Sequence, residues 1–571
     1  MPAGTCESSF LRRAAAPLLA AITLSIYLPI LHAGFIWDDP QYITRNRYLR
    51  DFDGLVTMWL HPTSVPQYYP LVHTTFWIEY QLGGLHPGGY HLDNVLLHAL
   101  AAVLLFRLLC KLEIPGAWLA AAFFAVHPVN VESVAWITER KNVLSAVFYF
   151  SSLLAYLRFA SPDFRAERFN AKPYFASLFF FVAALLSKSV TCSLPAVILL
   201  LIYWRGHFPR LGDILCLLPF FVAGLTMSMV TAFLERNHVG AIGPEWNWTF
   251  ADRCLIAGRA LWFYVGKIFW PHPLIFVYPK WPDMTFSAQP WLILYPLAFL
   301  AALALLWLLR RRIGRGPLVA ALFFSGTLLP ALGFVNLYPM RYTFVADHYQ
   351  YLAAIGIFIP VAVLLSRGRA GGVLAALILC ALAILTIRQQ SIYQNALVLW
   401  QNTVRNNPNS FMAWGNLGDE YADISNNDLL PPDQRAAARA QARACYVKLI
   451  ELAPDQSIAH YKWAIVKEYD GDLPAARQEL LIALQLQPDF APALDSLGGI
   501  LMQMHEPQEA MRNYLRAITL DPDFAEAHYH YAYALQIVGR FDEAIDQYRI
   551  ALRLDPSLTP AKAPWRHLGG E

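Results

Sequence analysis

Two adjacent carboxylates, Asp38 and Asp39, follow directly after the first long apolar run of the chain, within residues 35–46. A carboxylate at a membrane surface can accept a proton from a hydroxyl group or bind a metal ion. The alternative is a solvated turn before Pro40. The pair is therefore a candidate reaction centre, and a divalent metal there remains an open alternative.

Further polar side chains lie beside the apolar runs, where they are costly to place and are therefore functional candidates. His91 and Asn94 are three residues apart, so they share one helix face, with His98 about one turn further along. The other candidates are Tyr69, His127, Glu132, Arg140, Lys188, Arg341, Asp347 and His348.

The cations among these candidates have two interpretations. Arg140 and Lys188 lie on the side of the membrane that basic residues usually avoid, and there they could hold a phosphate group. Alternatively they are long side chains that reach from an apolar surface to water. A lone histidine is most often a packing residue, and this is the alternative interpretation of His91 and His127.

Several classes of protein are excluded by missing motifs. The sequence has no phosphate-binding glycine loop, no nucleophile elbow and no zinc-binding helix motif, so it does not resemble a soluble nucleotide-sugar enzyme, an ATPase or a membrane metalloprotease. Its seven cysteines include no Cys-x-x-Cys pair, and we expect neither a disulfide framework nor a zinc site. A net charge of +3 is too small to predict nucleic-acid binding.

The elements that must position these residues are long apolar runs. Of 571 residues, 57% are hydrophobic and 15% charged, and the runs end near Ile387, after which the sequence is polar and rich in alanine. We therefore predict an all-α protein with a membrane domain at 1–390 and a second domain at 391–571. A spanning helix needs about 20 apolar residues, which predicts about 11 spans. They are residues 14–33, 90–110, 117–136, 143–159, 174–187, 189–204, 214–233, 291–309, 318–334, 349–365 and 373–387.

The basic residues predict the orientation of these spans. With Arg12 and Arg13 on the cytoplasmic side, the basic loops that contain Arg165 and Arg168, and residues 310–315, also fall inside. The first run could pass for a signal peptide, but its length favours a first membrane helix. Residues 255–273 fit this alternation only as a re-entrant or interfacial segment. The second domain then lies outside, on the same side as the acidic pair.

The second domain contains a repeat. Pro454, Pro488, Pro522 and Pro556 are each 34 residues apart, which is the tetratricopeptide period. The preceding interval, from Pro408, is longer and predicts an insertion at residues 428–434. Aromatic and small residues at fixed positions are expected to pack the helix pairs, so a binding function would use the concave face, for a peptide or protein.

Taken together, the motifs resemble a known family. Residues 35–46, Tyr-Pro-Leu at 69–71, residues 89–94 with Leu-His at 97–98, His-Pro at 127–128, Ser-Lys at 187–188 and Tyr-Leu at 351–352 occur in the order found in the transmembrane and tetratricopeptide-repeat-containing O-mannosyltransferases and their bacterial relatives. The resemblance implies a GT-C glycosyltransferase fold. It also implies a polyprenyl-phosphate-linked sugar, mannose or another hexose, as donor, and Ser/Thr hydroxyls of a polypeptide as acceptor.

The resemblance also implies roles for the candidates. Asp39 or Asp38 would be the base, while Lys188, Arg140 and Arg341 would stabilise the departing phosphate. The residues that would orient these groups or the substrate are His91, Asn94, His127, Glu132, Tyr69, Asp347 and His348. The repeats would hold the acceptor polypeptide.

Three positions depart from the family pattern. Relatives often have Arg at the position of Tyr69, an acidic residue at Ser189 and Arg at His348. The departures motivate one alternative, a non-catalytic membrane scaffold that recruits protein partners through its repeats. A transporter is disfavoured because the polar groups lie at span ends rather than at mid-membrane. The short loops favour a bacterial inner membrane over the endoplasmic reticulum.

Overall fold

The computed structural model describes residues 9–160, 170–555 and 558, without side-chain detail for 9–13 and 244. Within these ranges all regular secondary structure is helical, as predicted. The chain divides into two units, Met1–Asn407 and Pro408–Glu571. Arg165, Arg168 and Pro556 lie outside the described residues.

The first unit contains sixteen described α-helices. In chain order they are α1 Ser9–Tyr27, α2 Phe52–Leu60, α3 Pro70–Gly83, α4 Pro87–Lys111, α5 Ala117–Val126, α6 Val131–Ala135, α7 Arg140–Phe159, α8 Ala171–Ser187, α9 Leu194–Trp204, α10 Leu211–Asn237, α11 Phe250–Phe269, α12 Leu294–Ile313, α13 Gly316–Leu328, α14 Ile355–Leu365, α15 Gly368–Gln390 and α16 Ala396–Asn406.

Six helical stretches in the described part of the chain are long and apolar enough to cross a membrane: Ala14–His32, Pro87–Lys111, Ile137–Phe159, Leu211–Asn237, Pro290–Ile313 and Gly368–Tyr393. Four shorter apolar helices, Ala171–Ser187, Ser189–Trp204, Gly316–Ala331 and Ile355–Leu365, account for most of the remaining predicted spans. No residue of α12 is buried, and five of its eight leucines are exposed. Such a surface is stable against lipid rather than water.

Two predicted spans differ from the structure. Residues 117–136 do not form one straight helix, because Ala117–Val126 and Pro128–Ala135 meet at 54°. Pro128 cannot donate a helical hydrogen bond and disfavours helical backbone at His127, which has ψ 129°. Residues 349–365 begin as a 3-10 turn, Asp347–Gln350, and the α-helix starts only at Ile355. Segment 255–273 corresponds to α11, which is not among the candidate spans.

The second unit consists of four antiparallel helix pairs, which confirms the predicted repeats. They are α17 Phe411–Ser425 with α18 Pro432–Leu452, α19 Ser457–Tyr469 with α20 Leu473–Leu486, α21 Ala491–Gln503 with α22 Pro507–Leu520, and α23 Ala525–Ile537 with α24 Phe541–Leu554. The insertion predicted at 428–434 lengthens α18 to 21 residues, whereas α20, α22 and α24 have 14 each.

Helix α16 belongs to the first unit. A domain boundary after residue 390 would leave this helix with the repeats, yet Trp400 of α16 is fully buried among aromatic residues of the first unit. Trp400 ends a short apolar run, residues 396–400, which is too short to mark a span and gave no sequence signal for this packing.

Candidate functional site

The two acidic residues have different surroundings. Asp39 is fully buried, and each of its oxygens accepts one backbone hydrogen bond, from Ile36 N at 2.8 Å and Thr138 N at 3.0 Å. Asp38 is half-buried, and its Oδ1 accepts hydrogen bonds from Thr138 Oγ1 at 2.6 Å and Trp136 Nε1 at 3.0 Å. Its Oδ2 accepts none from any described residue. Asp38 is thus the acid with an oxygen available to a substrate.

Both carboxyl groups hold a proton more strongly than an ordinary aspartate. Burial raises the pKa of Asp38, although the nearby Lys141 ammonium opposes the shift. Burial, and then the charge of Asp38, raise the pKa of Asp39 well above its usual range, and this outweighs its two backbone hydrogen bonds. A raised pKa in a recessed carboxylate is typical of a general base.

Asn94 fixes the segment that holds the acidic pair. Its amide nitrogen lies 3.2–3.3 Å from the carbonyl oxygens of Val134, Trp136 and Ile137, and its oxygen accepts from Arg140 Nε at 2.8 Å. The Trp136 and Thr138 groups that contact Asp38 are therefore held by the first turns of α4. Asn94 acts on the acids through this segment rather than by touching them.

Arg140 is buried away from solvent. Its guanidinium also hydrogen-bonds Glu79, the Thr75 hydroxyl and the Tyr90 carbonyl oxygen, and it lies 4.7 Å above the Phe76 ring. All three guanidinium nitrogens make hydrogen bonds within the protein. Arg140 could therefore bind a phosphate only by breaking some of these bonds. The geometry assigns Arg140 to the architecture of the α3–α4–α7 junction.

Glu139 joins two lysines. One oxygen lies 3.0 Å from Lys141 Nζ, and the other lies 3.1 Å from Lys188 Nζ. Lys188 also donates to Asn142 Oδ1 at 2.8 Å. Two ammonium groups are therefore held side by side by one carboxylate, and each retains donor capacity for an anion.

His348 closes the same network. Its Nδ1 lies 2.9 Å from Glu132 Oε1, its backbone N–H donates to Glu132 Oε2 at 3.2 Å, and its Nε2 lies 3.9 Å from Glu139. The Trp136 ring packs edge-on against the His348 ring at 5.8 Å. The acid Asp38 and the two lysines are thus connected through a short chain of contacts.

A small recess lies beside these groups; its closed-in volume is about 20 Å³, enough for about one water molecule, and its mouth opens to solvent. Its lining consists of Asn142, Ser145, Lys188, Val190, Thr327, Ala331, His348, Tyr349 and Leu352. Cationic and polar atoms line part of the wall, and aliphatic side chains line the rest. This combination suits an anionic group attached to an apolar chain.

The remaining candidates lie in other contacts. His91 Nε2 is 3.4 Å from the Gly34 carbonyl oxygen, and His127 Nε2 is 3.0 Å from that of Ile268, so both tie distant backbone segments together. Arg341 pairs with Glu245, with 3.4 Å between Nε and Oε1. The structure does not bring these three side chains to the recess.

Two further candidates, Asp347 and Tyr69, lie close to this network but are not among the residues that line the recess. The Asp347 carboxylate accepts from the Tyr278 hydroxyl at 3.0 Å, and burial together with the charge of Glu132 raises its pKa well above the usual range. Burial also raises the pKa of Tyr69 to about 12, although the nearby Ser189 hydroxyl opposes the shift.

Sequence reasoning passed over most of the central residues. Trp136, Thr138, Glu139, Lys141 and Asn142 were not selected, although Arg140 between them was. A signal existed, since residues 138–142 are five consecutive polar residues at the start of a candidate span. Among the described residues no group of three or more His, Cys, Asp or Glu side chains could hold a metal ion.

Fold and site together define an all-helical membrane protein with a buried acid-and-lysine network and a tetratricopeptide-repeat unit. A tetratricopeptide-repeat family model matches residues 496–558. The chain is 39% identical over 158 residues to protein O-mannosyl-transferase tmtc2 of Xenopus laevis, covering 25% of this chain and 18% of the relative. It is 32% identical to human TMTC3 over 157 residues, covering 26% and 17% respectively.

These comparisons confirm the resemblance to the transmembrane and tetratricopeptide-repeat O-mannosyltransferases, over alignments that span less than a quarter of the length of the two relatives. Among solved structures, the tetratricopeptide-repeat protein YrrB aligns at 21% identity, covering 30% of this chain and 83% of that one, with a TM-score of 0.23. MamA aligns at 22% identity, covering 30% and 87%, with the same score.

Proposed function

We propose that this chain is a membrane glycosyltransferase that moves a hexose, with mannose the first candidate, from a polyprenyl-phosphate donor to Ser or Thr hydroxyls of a polypeptide. The observation that carries the proposal is the geometry of Asp38, with one oxygen fixed by Thr138 and Trp136 and the other open. The names of the relatives, protein O-mannosyl-transferases, supply the reaction class.

In the proposed reaction, Asp38 Oδ2 accepts the proton of the acceptor hydroxyl as its oxygen attacks the anomeric carbon of the sugar. The bond between that carbon and the phosphate oxygen breaks, and the electron pair leaves with the polyprenyl phosphate. Only a deprotonated Asp38 can act, and its Oδ1 hydrogen bonds keep the carboxylate aimed while the proton moves.

The negative charge that develops on the leaving phosphate needs nearby donors. Lys188 and His348 line the recess, and Lys141 shares Glu139 with Lys188. We assign the phosphate to this group, with Lys141 in the place that sequence reasoning gave to Arg140. Glu139, Glu132 and Asp38 all lie near the two lysines, so the phosphate would be held by directed N–H donors rather than by a surplus of positive charge.

The apolar side of the recess is assigned to the first prenyl units. Val190, Ala331 and Leu352 offer aliphatic surface next to Lys188. A cationic group next to aliphatic surface fits a phosphate that carries an apolar chain.

Orientation follows from the positive-inside rule. We place the N-terminus in the cytoplasm and both Asp38 and the repeats on the opposite side, in the periplasm of a bacterium rather than the lumen of the endoplasmic reticulum. The concave face of the repeats would then hold the acceptor polypeptide on the side where transfer occurs.

The test uses purified full-length protein in detergent, radiolabelled polyprenyl-phosphate mannose and a panel of Ser/Thr-containing proteins. Asp38→Asn is expected to lower transfer at least about 100-fold, the usual range for loss of a general base. Asp53→Asn is the matched control, because Asp53 is exposed in the first turn of α2.

Full transfer by Asp38→Asn would refute the assigned base. If the wild type transfers none of several polyprenyl-phosphate hexoses and binds none of them, the enzyme assignment fails. A specific protein partner captured by the full chain would then support the scaffold alternative.

A further inference from the structure

The backbone at Trp37, immediately before Asp38, has an unusual conformation. Its φ is +50°, in the left-handed region that residues with a side chain rarely adopt. Such a conformation persists only where surrounding packing holds it. Since Trp37 directly precedes Asp38, its backbone angles set the direction in which the Asp38 carboxylate points.

An aromatic wedge, defined as Trp37, Trp136, Phe276 and Trp400, provides that packing. The Trp37 ring meets Trp400 edge-on, with centroids 5.0 Å apart, and Phe276 at 6.4 Å. Phe276 in turn contacts Trp400 at 5.5 Å and Trp136 at 5.0 Å. The residue before Asp38 and the indole that donates to Asp38 Oδ1 therefore share one support.

Trp400 is part of this wedge, and burial and hydrogen bonds at both ends of its helix hold it in position. It is 1% exposed, on the short helix α16 that follows the last candidate span. Before the helix, the Gln394 carbonyl oxygen accepts from Gly34 N at 2.8 Å, and after it Asn407 Nδ2 donates to the Val277 carbonyl oxygen at 3.1 Å. Both ends of α16 are thus joined to the segments that carry Trp37 and Phe276.

We propose that Trp400 is a positioning residue for Asp38. Its indole keeps Trp37 in the left-handed conformation and supports Phe276 beneath Trp136, and these two contacts aim the Asp38 carboxylate. The proposal rests on the proposed function only in taking Asp38 as the base. The contact itself is a property of the unliganded protein and can be measured without any transfer reaction.

The primary measurement is the rate at which a hydrophobic carbodiimide modifies Asp38 in the full-length protein, mapped by mass spectrometry from pH 4 to 9. The reagent reacts with protonated carboxyl groups, so the profile reports both the access to Asp38 and its titration. Asp39, Glu139 and Lys141 act electrostatically on Asp38 and are unchanged in every variant.

Trp400→Leu is expected to raise the limiting modification rate at low pH several-fold and to move the midpoint of the profile toward lower pH, because reagent and water gain access to a less firmly held carboxylate. Trp400→Phe should stay near the wild type. Tyr156→Leu is the control, since Tyr156 is equally buried but packs against Phe159 and Phe220. A wild-type rate and profile in Trp400→Leu would overturn the proposal.

Should Trp400→Leu fail to fold, Phe276→Leu is compared with the same control, and an unchanged profile there would equally refute the proposal. With transfer as a second readout, Trp400→Leu should lower kcat about 10-fold or more with little change in donor KM, as expected for misaligned reacting groups. If the wild type transfers no sugar, the proposed function fails, while the modification profile still decides the role of Trp400.

Discussion

The Thr138 hydroxyl donates to Asp38 Oδ1 at 2.6 Å, and the backbone N–H of the same residue donates to Asp39 at 3.0 Å. One residue therefore contacts both acids, with a different atom for each. The side-chain contact leaves the second oxygen of Asp38 open, whereas the backbone contact completes the hydrogen bonding of Asp39. This difference separates a candidate base from a residue that holds the loop.

Thr138→Val should move the acidic limb of the transfer rate to higher pH. The Thr138 hydrogen bond holds the pKa of Asp38 down against the larger effect of burial, so its loss raises that pKa further. A protonated Asp38 cannot act as a base, and the rate then rises only at higher pH. Since a hydrogen bond contributes about 1 kcal/mol, the shift should be about 0.5–1 pH unit.

The measurement is kcat/KM against pH for the wild type, Thr138→Val and Thr138→Ser. The serine variant keeps the hydroxyl and should keep the wild-type profile. Well above both pKa values the three rates should converge. A limb that moves to lower pH, or does not move in the valine variant, would contradict the role of this hydrogen bond.

Asp39→Asn should destabilise the fold more than Asp38→Asn. Both oxygens of Asp39 face backbone N–H donors, so an asparagine must aim its own NH₂ group at one of them. In Asp38→Asn the NH₂ group can occupy the open Oδ2 position. An unmet buried donor costs about 1–3 kcal/mol, which thermal unfolding in detergent can resolve. Equal losses in the two variants would show that the two acids are not distinguished in this way.

Glu139→Gln should destabilise the protein several times more than the loss of an exposed ion pair would. Lys141 and Lys188 would lose their common negative partner while remaining buried, and breaking a buried pair costs about 3–5 kcal/mol. Adding Lys188→Met to Glu139→Gln removes one stranded charge, so the double variant should lose less than the sum of the single variants.

The control for this cycle is Lys448 with Glu451, an exposed pair three residues apart on α18. Such a pair contributes about 0.2–1 kcal/mol, and its variants should be additive within error. Unfolding of each variant is followed in detergent. Strict additivity at Glu139 and Lys188 would mean that the two side chains are not coupled as the structure has them.

Gly498→Ala should destabilise the repeat unit, and Gly499→Ala should destabilise it less. A Cβ on Gly498 would lie 2.5–2.8 Å from three ring atoms of the buried Tyr514, but on Gly499 the nearest atom is the Tyr514 hydroxyl at 4.0 Å. Overpacking of this kind costs about 1–3 kcal/mol, while alanine itself favours a helix. Unfolding of the full-length protein is measured, and similar effects at the two glycines would refute the close approach.

Prediction from sequence succeeded where the physical cause is local. The 34-residue spacing predicted the helix pairs, because each repeat places the same small and aromatic residues at the same positions. The apolar runs predicted the helical membrane unit for the same reason. Asp38, Glu132, Lys188 and His348 were selected because polar residues beside apolar runs are costly, and the structure brings all four into one network.

The sequence does not distinguish residues whose surroundings come from distant segments. Arg140 and Lys188 are both cations near span ends, and nothing local distinguishes them. Arg140 is enclosed because α3 and α4 bring Glu79 and Asn94 to it, while Lys188 lies at a break between helices and lines the recess. Likewise, Trp400 ends the short apolar run 396–400 beyond the last predicted span, and only its packing on Trp37 connects it to the acidic pair.

By itself, the sequence determined the class of element along the chain, the period of the repeats and the set of polar residues worth considering, because those depend on composition and spacing. Which of the two neighbouring acids has an open oxygen follows only from the packing of the folded chain. That choice depends on Trp136 and Thr138, about 100 residues further along the chain. Hydrogen bonds over such separations exist only once the helices between them have packed.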